Sequence, residues 1–148
     1  MAIIPGHPDS FFVELLKGTH NFSTDTFKIA LYGSTADLGP ESTTVYTTSG
    51  EISGGGYTAG GATLVTTPPA LSSRVAIVDF ADATWTGDDA GFSNVYGAMI
   101  YNSSKSNKSV MIINFGAVRN PAGGSFTITF PVAAKETAII KLGAYGRM

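Results

Sequence analysis

The chain has 148 residues and 15.3 kDa, enough for one domain with its own core; at 43% hydrophobic and 14% charged residues it is too apolar for a disordered segment. Gly, Thr and Ser make up a third of it, which excludes an all-helical bundle, and the lack of cysteine excludes a disulfide framework and thiolate metal ligands. A net charge of −2 offers no basic excess for nucleic acid, and no apolar run approaches the ~20 residues of a membrane span.

In chain order, the first eight residues lack the positive and apolar regions of a secretory signal, so synthesis in the cytoplasm is expected. Residues 8–18 predict the one helix: Asp9 or Ser10 can cap it, Phe11, Phe12, Leu15 and Leu16 recur at helical spacing, and Gly18 can end it. From Thr26 the period becomes two, with Phe27, Ile29 and Leu31 alternating against Lys28, Ala30 and Tyr32, the pattern of a half-buried strand. Residues 45–48 carry a further β signal, and Pro68-Pro69 is expected to break pairing. Strands follow over 74–80, 83–86, 92–101, 109–115 and 125–130, separated by turns at 102–107 and 120–124, and 138–142 can close the set. The fold class expected is mainly β, an antiparallel β-sandwich or jelly roll with one short N-terminal helix. Within a single domain spanning 1–148, residues 1–25 form an arm and helix, 26–132 the sandwich, and 133–148 a C-terminal strand or docking tail.

Between residues 51 and 64, Gly54, Gly56, Tyr57, Gly60 and Gly61 predict a structural turn with close backbone approach. The segment lacks the Lys-Ser/Thr and the following helix that a phosphate loop requires. His7 and His20 are the two histidines and flank the helix, with no nucleophile turn in view, so neither a catalytic residue nor a cofactor is assigned. Asp79, Asp82, Asp88 and Asp89 match no calcium-loop spacing and read as turn residues, and no metal ligand set is assigned. Three Asn-x-Ser sequons, at Asn21, Asn102 and Asn107, also read as turns. Tyr46, Tyr57, Trp85, Tyr96 and Tyr101 either line a sugar-binding groove or belong to the core. Residues 1–100 hold three basic groups against ten acidic, and 101–148 hold six against one. These sets either mix in space or form opposite poles.

The sequence resembles small virion proteins of tailed bacteriophages. The resemblance runs through Leu15-Leu16-Lys17-Gly18-Thr19-His20-Asn21-Phe22, Asp25-Thr26-Phe27-Lys28-Ile29-Ala30-Leu31-Tyr32, Glu51-Ile52-Ser53-Gly54 and Gly56-Tyr57-Thr58-Ala59-Gly60-Gly61. It continues in Asp79-Phe80-Ala81-Asp82 with Trp85, Gly97-Ala98 with Ile100-Tyr101-Asn102, Phe115-Gly116, and Phe126-Thr127 with Phe130-Pro131. The chain departs from that pattern at Ala117-Val118-Arg119-Asn120-Pro121 and in its last sixteen residues.

The resemblance implies a virion component without a catalytic site. The function expected is a capsid decoration or cement protein on the head surface, a dimer or trimer at symmetry axes, with the major capsid protein as partner and neither nucleic acid nor membrane. The alternative is a tail or fibre component binding a host-surface glycan. Lys105, Lys108 and Arg119, on turns flanking residues 109–115, are the expected capsid contacts. Reversing Lys105 and Lys108 to glutamate is expected to weaken docking and spare the fold.

Overall fold

In the computed structural model, which describes residues 2–134 and 136–143, the short helix is α1 (Asp9–Leu16), and it is followed by nine β-strands, one 3-10 turn, Gly87–Ala90, and irregular connections, the longest over 34–61. Lys135 and the last five residues of the expected C-terminal tail, Arg147 among them, lie outside the described residues. The strands are β1 (Phe27–Gly33), β2 (Ala62–Thr63), β3 (Thr66–Ser72), β4 (Val75–Phe80), β5 (Ala83–Thr86), β6 (Val95–Asn102), β7 (Lys108–Arg119), β8 (Ser125–Ile128) and β9 (Ile140–Gly143). They form a four-stranded sheet ordered β2-β1-β6-β7, a three-stranded sheet β3-β4-β9 and a pair β5-β8. All the paired strands run antiparallel, and residues of all three sheets share one core: Phe27, Ile29 and Leu31 of β1 cluster with Val78 and Phe80 of β4, Trp85 of β5 and Ile128 of β8. The packing is sandwich-like; these strand orders do not by themselves define a jelly roll.

β1 departs from the half-buried expectation. Its second face is covered too, with Ala30 and Tyr32 packed among Ile3, Leu38, Met99, Tyr101 and Ile112 in a second cluster. The cover is irregular chain: Ile52 N–H donates to Leu31 O at 2.9 Å and Gly33 N–H to Gly50 O at 2.9 Å, holding the segment after β1 against its edge. Residues 45–48 make no strand; Val45 forms one isolated bridge with Lys108, and Tyr46 N–H donates to Asn107 O. The N-terminal arm protects the free edge of β7, where Gly6 and Ile112 exchange two backbone hydrogen bonds of 3.0 and 2.8 Å and Asn114 Nδ2 donates to Ile3 O at 2.7 Å. An uncovered edge of this length would invite pairing with another chain.

Pro68-Pro69 does not stop pairing. β3 pairs with β4 from Thr66 opposite Phe80 to Ser72 opposite Val75, with the register slipping between Thr67 and Ala70, so the prolines sit in a bulge. Because β3 is an edge strand, their missing N–H groups break no inner ladder.

α1 also differs in detail. Pro8 occupies the N-cap with no side-chain cap, so neither Asp9 nor Ser10 serves there. The C-terminal end is as expected: Gly18, at φ +71°, donates to Leu15 O while Thr19 N–H donates to Glu14 O, a paired closure that satisfies two terminal carbonyls. Of the four apolar residues expected to pack, only Phe11 is fully buried; Leu15 is half-buried, and Phe12 and Leu16 face out. Glu14, three residues after Phe11 and so on the same face, takes the inward place instead.

Candidate docking surface

α1 is too short to be stable alone and is held by its inner face. Phe11 is 1% exposed and stacks on His7 with ring centroids 5.2 Å apart, while its ring meets those of His20 and Phe22 at 5.1 and 6.4 Å. Asp9 N–H donates to Pro40 O at 3.0 Å and ties the first turn to the loop beyond β1. The outer face is apolar as well: Phe12 is 49%, Val13 52% and Leu16 90% exposed, at i, i+1 and i+4. A helix that is apolar on both faces belongs between two partners, and among the described residues it has only one. Ile4, 55% exposed, lies on the arm that leads into it.

Behind α1 lies a buried polar chain. His20 Nε2 and Glu14 Oε2 are 2.8 Å apart, His20 Nδ1 lies 3.0 Å from Asn102 Nδ2, and Asn102 Nδ2 also donates to Asp25 Oδ2 at 2.8 Å. Burial lowers the pKa of His20 by more than Glu14 and Asp25 raise it, and Lys108 adds to the lowering. Burial pushes the Asp25 carboxyl up, but hydrogen bonds from Asn102 and the Asn21 N–H, together with Lys105, outweigh it and hold the group below the ordinary carboxylate value.

This chain engages two of the three expected contact residues. Lys105 Nζ is 3.9 Å from Asp25 Oδ1 and Lys108 Nζ is 3.8 Å from Glu14 Oε1, so both lysines neutralise acids of the N-terminal segment. Arg119 is at the far end of β7, opposite Val95 of β6 while Lys108 is opposite Asn102, so the two lie about 23 Å apart at ~3.3 Å per residue; it sits beside an apolar cleft of about 350 Å³ lined by Met111, Ile113, Phe115 and Phe130. The three cations therefore do not share one face. Nor is the double reversal of Lys105 and Lys108 neutral to the fold, as expected from sequence: it would place a carboxylate against Glu14, which is 8% exposed.

The glycine–tyrosine segment is structural. Gly54, Gly56, Gly60 and Gly61 have φ between +77° and +90°, and a Cβ on Gly61 would overlap the carbonyl oxygen of Ile29 in β1. This turn delivers Tyr57, whose hydroxyl accepts from Leu31 N–H at 2.9 Å and donates to Glu51 Oε1 at 2.8 Å. Glu51 is the hub that sequence reasoning missed: it also accepts from Tyr46 Oη at 2.6 Å and from Gly60 N–H at 2.7 Å. Burial, then the Glu51 charge, raises the Tyr101 hydroxyl to about 12, and burial likewise raises Tyr32, Tyr46 and Tyr57. The local signal was an acid with a tyrosine five residues before it and another six after.

The five aromatic residues weighed for a sugar groove do not form one. Tyr57, Trp85 and Tyr101 are buried, and Tyr46 stacks on Tyr101 at 4.6 Å. Asp79 is buried at 1% exposure, with Oδ1 accepting from Phe80 N–H; burial raises its pKa by more than the Phe80 and Ile139 backbone N–H groups lower it. Asp82, Asp88 and Asp89 are exposed, and among the described residues no three His, Asp or Glu side chains converge on a metal-sized site. No described helix is long and apolar enough to cross a membrane. Comparison with known proteins finds no matching family model, no matching curated protein and no matching solved structure.

Proposed function

We propose that the chain is a structural protein of a tailed-phage virion, a decoration or cement protein that binds the assembled capsid and works without catalysis or cofactor. The observation that carries this reading is the outward apolar face of α1, Phe12, Val13 and Leu16, mounted on a helix fixed from behind by Phe11 and Glu14. Burying each of those side chains contributes about 1.5–3 kcal/mol, part of which is lost to the cost of association. A dimer or trimer at a capsid symmetry axis presents several such helices at once and gains by multivalency what one small face lacks. Binding only the assembled shell stabilises it by mass action. The partner is the major capsid protein, and Arg119, remote from α1, is free to steer rather than anchor.

The test is the copy number in purified virions, read from a quantitative gel against the major capsid protein. A decoration protein follows the shell lattice and is present in hundreds of copies. A count of about six to a few tens places it in the tail and favours the glycan-binding alternative. Its absence from virions overturns both.

A further inference from the structure

We propose that the chain Glu14–His20–Asn102–Asp25 is a proton-sensitive clasp that locks α1 onto the end of β6 while His20 is neutral and releases it when His20 takes up a proton. The argument starts from Asn102. Its Oδ1 accepts from Ser104 N–H at 3.0 Å and its Nδ2 donates to Asp25 Oδ2 at 2.8 Å, which fixes the amide with its NH2 group toward His20 Nδ1. His20 Nδ1 must therefore be an acceptor, and Nε2 carries the proton donated to Glu14 Oε2. The ring is wholly buried and lies among Phe11, Phe22 and Phe27, with centroids 5.1, 6.3 and 6.5 Å away.

A proton on Nδ1 would set two donors against each other across 3.0 Å. Turning the Asn102 amide to offer its oxygen would break the bonds to Ser104 and Asp25 that shape the β6–β7 turn. Every charged group facing the ring acts on this balance. Glu14 on α1 and Asp25 before β1 favour the imidazolium, and Lys108 on β7 opposes it, whereas Lys105 on the turn is paired to Asp25. Burial among the three phenylalanines outweighs the acids, so the folded state holds His20 below its ordinary value of 6.5. The clasp is then complete above that pH. Stability is lost as pH falls from 6.5 toward the lower folded value, because the unfolded chain binds the proton first.

The test uses the full chain alone and does not depend on what α1 docks against. Nitrogen-15 NMR of His20 should show the Nε2–H tautomer at about pH 7.5, and hydrogen exchange of the α1 amides, corrected for intrinsic rates, should quicken at least tenfold by about pH 5. Asn102→Asp replaces the opposing NH2 with an acceptor, so His20 should titrate at higher pH than in the wild type and the exchange step should move with it. A wild-type Nδ1–H tautomer, or α1 protection unchanged while His20 titrates, overturns the proposal even if the variant fails to fold.

Discussion

Gly61→Ala is expected to cost at least about 4 kcal/mol, enough to remove most of the ~5–15 kcal/mol that holds a domain of this size together. Two effects add. The backbone there is at φ +77°, which costs an L-residue about 1–2 kcal/mol, and the new Cβ overlaps the Ile29 carbonyl of β1, backbone that cannot yield without breaking the central ladder. Gly60→Ala is the control within the same turn. Its added Cβ meets no backbone, only the Tyr101 hydroxyl at 3.2 Å, which must give by a few tenths of an ångström, and the end of the flexible Lys28 side chain at 3.4 Å, so about 1–2 kcal/mol is expected. Urea unfolding of both variants checks the order; equal losses would show that φ alone, and not the close approach to β1, governs this turn.

Glu51→Ala is expected to cost about 3 kcal/mol, because it leaves the Tyr46 and Tyr57 hydroxyls and the Gly60 N–H without their acceptor in a half-buried pocket. Glu51→Gln should cost about 1 kcal/mol, since its amide oxygen still accepts and a tyrosine hydroxyl can turn to accept from its NH2. Truncating Glu51 and Tyr57 together should cost less than the sum of the single changes, a coupling of about 1 kcal/mol or more. Additive losses in that cycle would mean that Glu51 does not hold Tyr57 against β1.

The parts of the fold that follow from local periodicity were legible in the sequence. Alternation placed the strands at 27–33, 75–80, 95–102 and 108–119 to within a few residues, and Gly18 marked the end of α1. Facts set by distant chain were not. Nothing near Ala30 and Tyr32 says that residues from 3 to 46 fold over them, and a proline pair stops pairing in an inner strand but not on an edge. In the same way α1 announced itself by its apolar spacing, yet all of its large residues read alike, and only packing separated Phe11 from Phe12 and Leu16. Lys105 and Lys108 read as free loop charges because their partners, Asp25 and Glu14, are some 80 and 94 residues away in sequence. Near residues 105–108 basic and acidic groups meet at one end of the four-stranded sheet, so the two charge sets mix there.

The docking role of α1 is tested most directly by adding purified chain to undecorated phage heads and measuring the bound fraction by co-sedimentation. Val13→Glu with Leu16→Glu changes two exposed side chains, so the fold should keep its stability to within about 0.5 kcal/mol per site. The account predicts saturable binding of the wild-type chain and a loss of at least about 100-fold in the affinity of the double variant, since charges would be forced into an apolar contact. Binding of the folded variant at wild-type affinity would contradict it, and would move the contact surface away from the helix.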